Sequence, residues 1–123
     1  MLREMPKVCN VNKKRSRKRE HMIIDFNGMQ EMTMPCMNDG TGMMTVKMYN
    51  DENYRIIPTK IHRGGSIGLH TQNSGDDLNY IISGTGKAIC DGAEEELKAG
   101  MMHICLKGSQ HTIINTGDDD LVV

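Results

Sequence analysis

Tryptophan is absent from this 123-residue chain, phenylalanine occurs once and tyrosine three times. A core built on aromatic bulk is therefore excluded. The twelve methionines offer instead flexible, polarisable bulk that fills irregular gaps beside Ile, Val and Leu. Paired-cysteine chemistry is missing as well: Cys9, Cys36, Cys90 and Cys105 show no CxxC spacing and no histidines at a zinc-finger interval. Reduced thiols in a cytoplasmic protein fit this scatter best. No apolar run approaches the roughly 18 residues of a membrane span, and no apolar stretch follows the N-terminal charges as in a signal peptide. The expectation is a soluble protein with no membrane partner.

Charge is nearly balanced overall but unevenly placed. Residues 1–21 hold eight Lys/Arg against two Asp/Glu, while residues 22–123 hold seven against fourteen. The run KKRSRKR, Lys13 to Arg19, repels itself and buries nothing, which predicts a disordered basic tail. Such a run also suits a nuclear-import or nucleic-acid patch, or an extension upstream of a start at Met22. The acidic remainder offers no electrostatic footprint for nucleic acid. Residues 22–123 are read as one domain, about the usual size.

From Met43 onward the chain alternates strand-like runs with turns. MMTVKMY, YRIIPTKIH, IGLHTQ, NYIISG, KAICDG, MMHICLKG and HTIINTG are punctuated by Gly, Asn and Asp, and no stretch has helical periodicity. This spacing predicts an all-β sandwich or barrel. Exposed edges need cover, and the Met-rich segment from Met22 to Met44 is a candidate strand for a partner's edge, so a homodimer is expected.

Chemistry concentrates in HTQNSGDDLNY, His70 to Tyr80. His70 and Gln72 are two apart, which places both on one face of a strand. Asp77 follows a short loop, and a barrel can bring the distant His111 beside them. Two imidazoles and a carboxylate are the ligand set that suits a divalent ion with open positions, and Gln72 adds a weak amide oxygen. Asp76 reads as a solvated loop residue, His103 as a partly buried structural histidine and His62 as a residue near the pocket mouth. Met32, Met34, Cys36 and Met37 form a soft set that ordinary methionine packing explains equally well. Cys90 and Cys105 read as small buried hydrophobes, and Tyr80, Ile82, Ile113 and Asn115 as pocket-lining residues.

The spacings carry a resemblance. Gly64, five residues, His70-Thr71-Gln72, four residues, Asp77, six residues and Gly84 follow the first motif of the cupin family. Gly100, five residues, Leu106-Lys107-Gly108, two residues, His111, three residues and Asn115 follow the second. Between Gly64 and Asn115 the chain thus resembles a small cupin, which implies an antiparallel jelly-roll barrel. The resemblance implies a divalent metal (Fe, Mn, Ni, Cu or Zn) at the positions of His70, Gln72, Asp77 and His111, and a small-molecule ligand. Cupins include dioxygenases, isomerases, decarboxylases and non-catalytic proteins, so the fold does not select a reaction. Two positions depart from the pattern: Gln72 stands for a histidine and Asp77 for a glutamate, a carboxylate shorter by one methylene, about 1.5 Å. Leu106 stands for a proline, which bears on turn rigidity. The altered set leaves two readings, a metal-binding cupin and a metal-free binding module that keeps the pocket. Gly84, Gly86 and Gly108 are expected to supply positive φ at turns.

Overall fold

The computed structural model describes residues 22–123, and the predictions made for the basic tail lie outside the described residues. A single 3₁₀ turn, Phe26–Gly28, precedes twelve strands: β1 (Met32–Pro35), β2 (Met43–Val46), β3 (Tyr49–Asn50), β4 (Arg55–Ile56), β5 (Thr59–Ile61), β6 (Ser66–Thr71), β7 (Asp77–Tyr80), β8 (Thr85–Cys90), β9 (Ala93–Lys98), β10 (Met102–Cys105), β11 (Gln110–Asn115) and β12 (Leu121–Val122). All pairings are antiparallel. The expected all-β antiparallel barrel is what forms.

One wall runs β1-β2-β5-β12 and the opposite wall β6-β11-β8-β9. The β7–β10 ribbon joins the first wall where the Ile82 amide donates to the Val122 carbonyl. Between the walls lie Met44, Val46, Ile61, Ile81, Ala88, Leu97, Ile113 and Leu121, all essentially buried. Among the described residues no Phe or Tyr ring belongs to this core, in keeping with their scarcity in the composition. Burying each large aliphatic side chain contributes about 1.5 to 3 kcal/mol, before conformational entropy is set against it.

Alternation decides which face each side chain takes. In β11 His111, Ile113 and Asn115 are buried while Gln110 is exposed. In β7 and the two residues after it, Asp77, Asn79 and Ile81 turn inward while Leu78, Tyr80 and Ile82 turn outward. β6 does not keep one phase. Its partners on β11 shift between His111 opposite His70 and Ile113 opposite Ile67, so β6 carries one extra residue there. Ile67 packs against the core. Strict alternation from Ile67 would turn His70 to solvent; the bulge resets the phase and aims it inward.

Two glycines act differently from one another. Gly108 has φ +95 and shapes the turn that delivers β11, as expected. Gly86 has no positive φ, contrary to expectation; it lies inside β8, and a Cβ there would stand 2.5 Å from the Ile114 carbonyl oxygen and 2.7 Å from a Leu121 methyl. Close approach of neighbouring chain is the reason for glycine at that position.

Candidate functional site

His70 and His111 face each other across the β6–β11 ladder as directly paired residues. Their rings meet edge to face with centroids 4.7 Å apart. His111 is 1% exposed. The bulge bends the Gly68 carbonyl toward the His70 ring, and His70 Nδ1 donates to it at 2.8 Å. A carbonyl can only accept, so the proton sits on Nδ1, and Nε2 of neutral His70 carries a lone pair.

Asp77, at the start of β7, approaches from the other side. Its Oδ2 lies 3.3 Å from His111 Nε2 and accepts from the Asn79 amide at 3.2 Å. Burial pushes the Asp77 carboxyl up, but contact with His111 and Asn79, and the charge that His111 and His70 carry when protonated, outweigh it and hold the group below its ordinary value. Although His111 Nε2 is near Asp77, it is off the line of a hydrogen bond and has no other partner among the described residues, which leaves it a buried, unsatisfied nitrogen. Buried polar atoms in that condition mark functional positions or places where an ion or water binds.

The other ring nitrogen of His111 is fully engaged. Nδ1 lies 2.8 Å from His103 Nε2, the two rings stack with centroids 5.1 Å apart, and His103 Nδ1 lies 2.7 Å from Glu95 Oε1. His103 is therefore part of the site's support, a role that sequence spacing did not reveal. The alternating burial of β10, with His103 and Cys105 in and Met102 and Ile104 out, is the signal that points to it.

The remaining predicted residues are placed as follows. Gln72 is half-buried just past β6; its backbone bonds Ser109 and Gly108, and its side chain makes no hydrogen bond among the described residues. Asp76 is exposed and caps the Lys107 amide at 2.9 Å. Tyr80 and Ile82, expected to line the pocket, are 51% and 58% exposed on the outer face. The inward parity belongs to Asp77, Asn79 and Ile81. Ile113 belongs to the apolar core, and the Asn115 side-chain amide donates to the Ile61 and Asp119 carbonyls while its oxygen accepts from the Gly117 amide, an internal staple. His62 bonds Thr45 and Asp120. Cys36 is buried, Met34 and Met37 pack on the core and Met32 is exposed, an arrangement of ordinary packing. Cys105 is buried, and burial, then neighbouring Cys90, pushes its thiol up to about 12, so it is no nucleophile.

Whether these donors suit a metal ion is a question of spacing. Among the described residues no three His, Cys, Asp or Glu side chains converge as a complete metal cluster. The His111–Asp77 pair is nonetheless spaced as neighbouring ligands are. Two atoms each about 2.1 Å from one ion stand about 3.0 to 3.4 Å apart between right-angle and tetrahedral geometry. The observed 3.3 Å falls in that interval.

Comparison with known proteins agrees with this architecture. A family model described as "Cupin domain" matches residues 59–123. The chain belongs to the cupin family. An oxalate-binding protein of Thermotoga maritima is 36% identical over 62 residues, which are 50% of this chain and 51% of that protein. The chain thus spans about half the length of this curated relative. The crystal structure of a predicted oxalate decarboxylase from the same organism superposes with a TM-score of 0.76 at 24% identity, covering 82% of this chain and 93% of that one. An RmlC-like cupin from Shewanella frigidimarina gives 0.61 at 12% identity, covering 84% and 86%. At those identities the likeness concerns the fold. No helix among the described residues is long and apolar enough to cross a membrane.

Proposed function

We propose that this cupin holds one divalent transition-metal ion between His70, Asp77 and His111, with Gln72 as a weak or water-bridged fourth donor, and uses it to bind a small carboxylate of the oxalate type. The observation that carries the reading is the buried, unsatisfied Nε2 of His111 standing 3.3 Å from the Asp77 carboxylate. With His111 neutral, its lone pair faces an anion across that gap, which is repulsive unless a cation lies between them. His70 contributes a second Nε2 lone pair, fixed by its bond to Gly68. The set lacks the usual third imidazole, and in this reading Gln72 takes that place as the weaker donor.

The ligand class follows from charge as well as from the oxalate-binding relative. His70, Gln72, Asp77, His103 and His111 include no Lys or Arg, and Asp77 would repel a bare dianion. The chemistry supplied by a bound ion is attraction and polarisation of carboxylate oxygens through its open positions. Asn79 holds Asp77, and Gly68 holds His70.

The test is calorimetric titration of oxalate into metal-stripped and Co(II)-loaded protein. Binding only to the loaded form, lost together with the ion in His70→Ala, is the expected result. Equal binding to the stripped protein would replace this reading with the metal-free binding module, which the Gln72 and Asp77 substitutions favour. Residues 22–123 are taken as one such domain, working as a cytoplasmic homodimer. The apolar outer face of β7 and β10, where Leu78, Tyr80, Met102 and Ile104 pair across the ribbon, supports association. A monomeric mass by light scattering would remove that part.

A further inference from the structure

We propose that Glu95 and His103 are positioning residues that lock His111 with its proton on Nδ1 and its Nε2 lone pair turned into the pocket. The inference deepens the reading of the pocket as a metal site and rests on it for its consequence, although the locked ring state is measurable without any ion.

The argument follows the protons. Glu95 Oε1 is a carboxylate oxygen and accepts, so His103 Nδ1, 2.7 Å away, donates. A neutral His103 then has a bare Nε2, which accepts from His111 Nδ1 at 2.8 Å. His111 has spent its proton on that bond, and its Nε2 is left as a lone pair. The opposite assignment would put a proton on His111 Nε2, and that proton would need an acceptor. Asp77 Oδ2 is near enough, but it is off the bond line, and among the described residues Nε2 has no other partner. Geometry therefore agrees with the lone pair.

Burial makes the lock effective. His103 side-chain exposure is 0% and that of His111 is 1%, so water cannot replace either partner, whereas Glu95 is half exposed and anchors the relay at the surface. A ligating histidine whose other nitrogen is tied in this way is held in tautomer and orientation, and losing such support costs about 10- to 100-fold in metal affinity. Here the support is a second imidazole carried on β10, the strand paired with the one that bears Asp77. One ribbon thus positions both the carboxylate and the histidine opposite it.

The experiment is long-range ¹H–¹⁵N NMR of the histidine rings in the metal-free full chain, paired with Co(II) titration. In the unaltered protein His111 is expected to show a protonated Nδ1 and a bare Nε2. In His103→Leu, which removes the acceptor but keeps apolar bulk, the proton should move to Nε2 and Co(II) affinity should fall about 10- to 100-fold. In His103→Gln, whose amide oxygen restores an acceptor, both should recover. Glu95→Ala, at the half-exposed end, should leave His111 in a mixture of tautomers and serves if His103→Leu does not fold. A protonated Nε2 in the unaltered protein, or an unmoved Nδ1 proton in the Leu and Ala variants, overturns the proposal. Equal Co(II) affinity across the variants also overturns it while leaving the metal site standing. No Co(II) binding by the unaltered protein sinks the metal reading, and the NMR arm alone then decides the positioning.

Discussion

The barrel builds the same hydrogen-bond device twice, with opposite endings. On one wall Asp120 Oδ1 lies 2.8 Å from His62 Nδ1, and His62 Nε2 lies 2.7 Å from the Thr45 hydroxyl. That hydroxyl is bonded in turn to Thr33 at 2.8 Å. On the other wall Glu95 holds His103 and His103 holds His111. The first relay closes, since its last lone pair receives a hydroxyl proton. The second stays open, since the last lone pair, on His111 Nε2, receives none. A closed relay fastens β1, β2 and the loop before β12, whereas an open buried one concentrates unspent bonding capacity where Asp77 and His70 meet. Carboxylate–histidine pairing alone therefore does not distinguish staple from site; the far end does.

The sharpest way to break this comparison is to remove each terminal histidine. His111→Ala is expected to weaken Co(II) binding by at least about 100-fold, since it deletes a ligand, while His62→Ala should leave it within about twofold; both are read by calorimetry. If His62→Ala weakened binding as much, the two relays would not differ in kind.

A second variant probes the closed relay's stability. Thr45 is 8% exposed, and Thr45→Val strips the His62 Nε2 and Thr33 hydroxyl of their partner. The expected loss is about 1 kcal/mol, or about 4 °C or more in the melting midpoint by calorimetric scan, with Co(II) affinity unchanged. Gly108→Ala tests the turn that presents His111. Nothing stands within 4 Å of a Cβ there, so the cost is the backbone strain at φ +95. That strain is about 1 kcal/mol or slightly more for an L-residue, and ion affinity should fall alongside stability because the turn sets the β11 start.

The smallest expected effect lies at Asp91. The Gln110 amide donates to its carboxylate at 3.0 Å, and that bond, aided by Ser109, holds the group below its ordinary value of 3.8. A depressed folded-state value means that the charged group stabilises the fold above pH 3.8 and that this contribution fades as pH falls through the lower folded value. Asp91→Asn should therefore be slightly less stable than the unaltered chain near neutral pH, with the gap closing below pH 3.8 in acid-denaturation curves. A gap that widened toward acid would contradict the assignment.

The strand-and-turn alternation, the absence of helices and the motif spacing were legible without coordinates because each is local. A period of two, a glycine at a turn and a fixed number of residues between motif positions survive in one dimension. Nearness along the chain is less safe. Tyr80 and Ile82 neighbour the site residues and are expected in the pocket, yet counting from Asp77 puts them on the outer face, as the strand shows. Glycine suits turns, which predicts a turn at Gly86, while its reason lies in Ile114 and Leu121, residues of other strands.

The sequence by itself determined the fold class and which four side chains had to be compared, His70, Gln72, Asp77 and His111. Tertiary structure decided how they are held. The β6 bulge that turns His70 inward arises from register against β11, and the support of His111 by His103 arises from two strands meeting across the interior. Both depend on contacts between distant segments, and such contacts leave no periodic trace along the chain. The opening at His111 Nε2 belongs to the same class, because an unmet hydrogen bond can be recognised only once every neighbour is in place.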